Sequence, residues 1–175
     1  MLTRAHYLDR DEQMNAPITV VPFDLDELHF ALHARAVERI VPAMEVEELP
    51  GAPAIILGII NLRGNIVPVL SLRKRFGLPE RDFAITDQFI LATIFASAQS
   101  QATSRRVALA VDSVRVVVEL PAGSFVPALS VVPGLEYIEG VARMPDGLLL
   151  IQDLDRCLSF SESNLLDTAL EAVDG

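Results

Sequence analysis

His29 and His33 stand four residues apart, a spacing that on a helix would set two imidazoles on one face as metal ligands. The surrounding stretch, Leu28 to Val37, reads instead as a strand, because Phe30 and Leu32 alternate with Ala31 and His33. Strand rise would part the two rings by about 13 Å, too far to share one ion, so exposed strand histidines and no metal are expected. His6 falls in the polar N-terminal stretch. No serine sits in a Gly-x-Ser-x-Gly elbow, and Cys157 has no histidine nearby in sequence, which predicts a buried structural thiol. Gly58 and Gly64 match neither a Walker loop nor a dinucleotide fingerprint, so no cofactor is expected. The carboxylate pairs Glu47-Glu48 and Asp24/Asp26 fall in turn-like sequence and read as solvated charges. No catalytic constellation emerges, and the expectation is a protein that is not an enzyme.

The 175-residue chain carries a formal net charge of −10. Binding phosphates needs clustered Lys and Arg, so this balance argues against nucleic acid and against an anionic membrane surface. No apolar run approaches the roughly 18 residues of a membrane span. Residues 1–15 hold no apolar stretch of the kind a secretory signal needs. With one cysteine, these features predict a cytoplasmic protein with no direct membrane insertion. Hydrophobic residues reach 51%, enough for a folded core. The basic cluster Arg73-Lys74-Arg75 reads either as a solvated strand end or as a contact to an acidic partner.

The elements that must position these residues are mostly short strands. Ile55 to Ile60 and Ile66 to Leu72 are apolar and β-branched, which suits a pleated surface. Between them, Asn61-Leu62-Arg63-Gly64-Asn65 is turn chemistry, since Asn and Gly tolerate positive φ. Pro68 cannot donate to a ladder, so its strand is expected at an edge or with a bulge. Ile18 to Leu25 is a strand, joined to the next by a turn at Asp24 to Glu27. Leu49 to Pro53 is a proline-bounded loop, and Glu80 to Asp87 a polar linker. Gln88 to Ala96, Val107 to Val111, Val114 to Leu120, Tyr137 to Ala142 and Gly147 to Ile151 read as further strands. Ser97 to Arg106 is predicted as a hairpin loop and Pro121 to Pro133 as another loop. Gln152 interrupts an apolar lead and leaves the end of the last strand open. Beyond it, Leu165, Leu166, Ala169, Leu170 and Val173 fall at helical spacing, with Ser161 or Ser163 as cap and Glu162 in the first turn. Many short strands fit an all-β barrel class.

The ordered run from Gly58 to Arg73, G-I-I-N-L-R-G-N-I-V-P-V-L-S-L-R, resembles the signature of the CheW family, the coupling proteins of bacterial chemosensory arrays. The resemblance runs from about Ile18 to about Leu158. A second block, an apolar strand ending in Val111-Asp112, is similar to one in the family. The resemblance implies an all-β fold of two SH3-like, five-stranded barrels. It divides the chain into a loose arm over 1–16, a CheW-like domain over 17–158 and a C-terminal helix over 159–175 packed on the barrels. It implies an adaptor that couples the cytoplasmic hairpin tip of a chemoreceptor to the regulatory domain of a CheA-type histidine kinase, with weak self-association in arrays.

Contact candidates on that reading are Val37, Glu38, Arg39, Leu57, Gly58, Arg63, Gly64 and Val111. Val37 matches a valine of the receptor groove, yet ordinary core packing serves it equally. Arg63 matches the motif arginine implicated in array assembly, and locally its guanidinium could cap turn carbonyls. Gly58 and Gly64 read most simply as backbone requirements. Asn61 and Asn65 are assigned to the turn, and Asp112 to capping the turn after its strand. Many relatives carry an acid where Arg39 stands, so a receptor of matching charge is expected, which points away from a standard receptor match and toward a non-flagellar array, for type IV pilus or surface motility or for development. A small-molecule-binding or catalytic barrel is the alternative from another class; it would need a pocket of convergent polar groups.

Overall fold

A computed structural model describes residues 16–98, 101–127 and 137–174, so all but the last residue of the expected N-terminal arm lies outside the described residues. Twelve strands follow in chain order: β1 (Ile18–Leu25), β2 (Leu28–His33), β3 (Val37–Pro42), β4 (Ile56–Leu62), β5 (Asn65–Ser71), β6 (Gln88–Ala98), β7 (Gln101–Val111), β8 (Ser113–Val114), β9 (Val118–Leu120), β10 (Phe125–Pro127), β11 (Ile138–Met144) and β12 (Gly147–Gln152). The chain forms two compact units, Met1–Ala34 with Arg115–Asp153, and Arg35–Val114 with Leu154–Gly175. The fold is the expected mainly-β, SH3-like class.

In the first unit the strand order is β10-β11-β12-β2-β1, with β9 also paired to β1. All these pairings are antiparallel except the parallel pair of β12 with β2. Val20, Ala31, Leu120, Ala142, Leu149 and Ile151 form its buried cluster. Phe23 and Phe30, opposite each other on β1 and β2, stack with ring centroids 5.7 Å apart.

In the second unit the order is β3-β6-β7-β5-β4. Its two outermost strands are linked by a single bridge: Glu47, beyond the end of β3, exchanges backbone hydrogen bonds of 2.9 and 2.8 Å with Ile59 of β4. Side chains facing inward from all five strands build the core of Ile60, Val67, Val69, Phe89, Leu91 and Ala108, joined by half-buried Val41.

Several local expectations change. The strand expected over Leu28 to Val37 stops at His33; Ala34–Ala36, poor in strand formers, makes a 3₁₀ turn, and Val37 opens β3. β5 is not an edge strand, for it pairs β4 on one side and β7 on the other. Pro68 is tolerated because the β7 ladder begins one residue later, at Val69, and the register shift lies on the facing strand between Ile56 and Gly58. The loop expected over Ser97 to Arg106 is strand on both sides, paired down to Ala98 and Gln101; a run of small polar residue types in the sequence mimics loop composition. The strand expected over Val114 to Leu120 is interrupted at residues 115–117, where Val116 is exposed. Phe125–Pro127 is a strand within the expected loop, whose remainder lies largely outside the described residues. β12 runs through Gln152, which is buried.

Leu72, expected in a strand, starts a short helix Leu72–Arg75, because Ser71 caps it through its Oγ and the Lys74 N–H. The C-terminal helix is Phe160–Asp174. Its cap is Ser159, not Ser161 or Ser163: the Ser159 Oγ accepts from the Glu162 N–H, and a Glu162 carboxylate oxygen accepts from the Ser159 N–H. Of its apolar stripe, Leu166 and Ala169 are buried, whereas Leu165 and Val173 are exposed.

Candidate functional site

The motif hairpin turns in two residues. Arg63 and Gly64 both take positive φ, +52° and +87°, while Asn61 and Asn65 stay in β4 and β5. This is the backbone of a primed two-residue turn, which matches strand twist. Positive φ therefore falls on Arg63 rather than on the asparagines. Asn61 still serves the turn, accepting from the Gly64 N–H at 2.8 Å through its Oδ1. The Arg63 side chain is exposed, with no side-chain partner among the described residues. The two motif glycines have different reasons. A Cβ on Gly64 would meet nothing within 4 Å, so only its φ matters. A Cβ on Gly58 would run into the Glu47 carbonyl and the Val46 side chain. Gly58 thus admits the bridge that links the edges of this sheet.

Val37, Glu38 and Arg39 lie on edge strand β3. Val37 pairs with Ala92 and Arg39 with Leu91, so Glu38 is an extra, bulged residue. Ala92 and Leu91 are adjacent on β6 and face opposite sides of the sheet. The bulge therefore turns Arg39 away from the face of half-buried Val37, although the two are separated by one residue. Glu38 is held by Arg106 of β7, whose Nε donates to it at 2.7 Å. Arg39 is exposed and has no side-chain partner among the described residues.

Strand directions and registers place the candidates along the sheet. β3 begins, β6 ends and β5 begins at one end of the sheet, because β6 runs antiparallel to β3 and β5 parallel to β7. Arg63 and Gly64 lie at that end, whereas Arg39 stands in mid-sheet, level with Leu91, Ala108, Val69 and Gly58, and Val37 stands one row nearer the Arg63 turn. Leu57, Val111 and Asp112 belong to the other end, around a cleft of about 300 Å³ also lined by Val46, Phe83 and Arg81. Val111 is buried, so its side chain packs inside rather than meeting a partner. Leu57 is half-buried.

At this second end lies a saturated charge network. Arg73 Nη2 donates to both carboxylate oxygens of Asp112, at 2.8 and 2.9 Å. Arg81 reaches Asp112 at 2.8 Å and forks onto Asp87 with two bonds of 2.8 Å. Asp112, expected to cap the turn after its strand, accepts from side chains 39 and 31 residues back in sequence. The Arg81 hydrogen bonds hold the Asp87 carboxyl below its usual range, against the opposing effect of burial, with help from the Ala84 N–H. The basic cluster is neither a solvated strand end nor free for a partner: Arg73 and Arg75 keep side-chain exposures of only 11% and 12%, and Arg75 holds Glu162 of the C-terminal helix at 2.7 Å. Burial pushes the Glu162 carboxyl up, yet the Ser159 N–H, Arg75 and the Ser159 hydroxyl outweigh it and hold it low. Sequence reading missed Arg81, Asp87 and Arg106: Arg106 meets Glu38 from 68 residues away and Arg81 meets Asp112 from 31, while the six-residue Arg81–Asp87 pair lay in what read as a polar linker.

His29 and His33, in the first unit, are half-buried rather than exposed. His29 Nδ1 lies 2.6 Å from Asp24 and His33 Nε2 lies 2.8 Å from Glu139. Asp24, expected in a solvated turn, sits in β1 and also accepts from Arg115 at 3.0 Å. Cys157 is buried and is not in a disulfide. Among the described residues, no helix is long and apolar enough to cross a membrane.

Residues 19–162 match the family described as the CheW-like domain. The chemotaxis protein CheW of Treponema pallidum is 28% identical over 154 residues, covering 87% of this chain and 86% of that one. CheW of Klebsiella aerogenes is 27% identical over 152 residues, covering 86% and 87%. The crystal structure of the scaffolding protein TtCheW from Thermoanaerobacter tengcongensis superposes with a TM-score of 0.71 at 30% identity, over 83% of this chain and 95% of that one. This chain belongs to the CheW family of chemotaxis scaffold proteins.

Proposed function

We propose that the protein is a cytoplasmic adaptor that couples the hairpin tip of a chemoreceptor to the regulatory domain of a CheA-type kinase, by contact and without catalysis. The observation that carries this reading is the CheW-like match over residues 19–162, together with the likeness to a scaffolding protein across most of both chains. The separation of candidates to two ends of one sheet supports it. Arg63 and Gly64 stand at one end, Leu57 and the Asp112 network at the other, with Val37 between them. An adaptor needs two such surfaces held at a fixed distance, and a sheet with saturated ion pairs supplies that rigidity. On this reading residues 17–158 are the coupling domain and the C-terminal helix braces it through Arg75 and Glu162. Reconstitution tests the proposal. The protein, added to receptor-bearing vesicles and kinase, should bring kinase activity under receptor control; kinase activity indifferent to its presence would contradict the reading.

A further inference from the structure

Arg115, in the first unit, is anchored at both its main chain and its side chain. Its backbone N–H donates to the Pro22 carbonyl at 2.8 Å, and its Nε donates to Asp24 at 3.0 Å. Asp24 in turn lies 2.6 Å from His29 Nδ1. The guanidinium so fixed reaches a second carboxylate: Nη1 donates to Asp146 at 2.8 Å. Asp146 sits with Pro145 on the two-residue turn between β11 and β12, whose closing pair is Met144 and Gly147. Pro145, Asp146 and Gly147 are all exposed, and a Cβ on Gly147 would meet nothing within 4 Å. The turn itself therefore buries little that would resist local opening.

An aspartate followed by glycine carries an electrophile and a nucleophile on adjacent residues. The Gly147 nitrogen has no neighbouring side chain to hinder its attack on Asp146 Cγ. The attack needs the neutral carboxyl, because the oxygen that leaves must depart as water. The Arg115 hydrogen bond opposes this by favouring the ionised form, and it holds the Asp146 carboxyl below its usual range. We infer that Asp146–Gly147 is a site of spontaneous isoaspartate formation and that the Arg115 cation is what slows it. The Gly147 nitrogen bonds to Asp146 Cγ, its proton and the carboxyl OH leave together as one water, and a five-membered succinimide closes. Water then adds to one of the two ring carbonyls. Opening at the α-carbonyl leaves the chain running through Cγ as isoaspartate; opening at Cγ restores aspartate. Water lost is water regained, so the net change is an isomerisation with no co-reactant. The product has one extra main-chain carbon inside a two-residue turn, and its free carboxylate stands on a stem one carbon shorter. Neither the Arg115 contact nor the Met144–Gly147 closure keeps its geometry.

The test ages the full-length protein, Arg115→Gln and Arg115→Lys at about pH 6 and physiological temperature, where the carboxyl is mostly ionised in all three. Arg115→Gln keeps a stem and a donor but loses the charge; Arg115→Lys keeps the charge. Circular dichroism confirms that each is folded at the start. Isoaspartate at residue 146 is read by peptide mapping and by labelling with an isoaspartyl methyltransferase, and a sample aged in denaturant gives the rate without the fold. Asp174–Gly175, the other Asp-Gly pair of the sequence, serves as a reference within each sample. Arg115→Gln should gain isoaspartate at residue 146 about three-fold faster than the parent or more, with the Asp174 peptide unchanged, and Arg115→Lys should stay nearer the parent. Equal rates in parent and Arg115→Gln, or Arg115→Lys as fast as Arg115→Gln, overturn the protective role of the cation. No isoaspartate at residue 146 in folded Arg115→Gln, while the denatured sample gains it, overturns the site itself.

Discussion

Arg73 closes the first motif of the sequence and Asp112 closes the second, and the Arg73 guanidinium donates to both oxygens of the Asp112 carboxylate. The two motifs are thus halves of one structural unit, joined where β5 and β7 run parallel. Arg81 completes the arrangement by binding Asp112 and Asp87 together. Asp112→Ala should lower stability by about 2–3 kcal/mol, because it strands a mostly buried guanidinium, and Asp112→Asn should cost less. Denaturant unfolding of both variants checks this; a midpoint equal to that of the parent would show the network to be ornamental.

Acid should loosen the same end. The Asp87 carboxyl is held below its usual range, so its ionised form is favoured by folding. Its contribution is full above the unfolded value of about 4 and is lost as pH falls through the lower folded value. Melting temperature should therefore drop below about pH 4, and Asp87→Asn should flatten that part of the profile. A parallel pair of profiles, offset by a constant, would argue that Asp87 has no part in acid unfolding.

Gly58 and Gly64 should respond to alanine in different degrees. At Gly64 the only penalty is positive φ, about 1 kcal/mol. At Gly58 the new methyl also displaces the Glu47 carbonyl and strains the bridge, so the loss should exceed that by a further 1 kcal/mol or more. Equal losses in thermal melts would mean that the Glu47–Ile59 bridge yields easily.

The C-terminal helix offers a clean comparison among three serines. Ser159→Ala removes the side-chain half of a reciprocal cap and should cost about 1 kcal/mol. Ser161→Ala and Ser163→Ala should change stability by well under half of that. Helix content followed by circular dichroism through the melt would settle the ranking.

Strand content, hairpin positions and the motif itself were readable because each is a local signal: β-branched runs, Asn and Gly between them, and a long ordered match. Register was not readable. Nothing in Val37-Glu38-Arg39 announces a bulge, yet that one extra residue decides which side of the sheet Arg39 faces. Edge and centre were likewise hidden, since Pro68 signals a missing donor and not which side lacks a neighbour. Arg73 and Arg75 looked like free charge because their partners, Asp112 and Glu162, are brought to them only by tertiary structure. The helix cap moved from Ser161 or Ser163 to Ser159 because Glu162 reaches back three residues and three only.

The decisive measurement is calorimetric titration of the full-length protein with a receptor hairpin-tip fragment and, separately, with the kinase regulatory domain, followed by the three together. Coupling by contact predicts binding to each partner alone and a ternary complex in which neither displaces the other. Mutual exclusion of the two partners, or heat from neither, would contradict it.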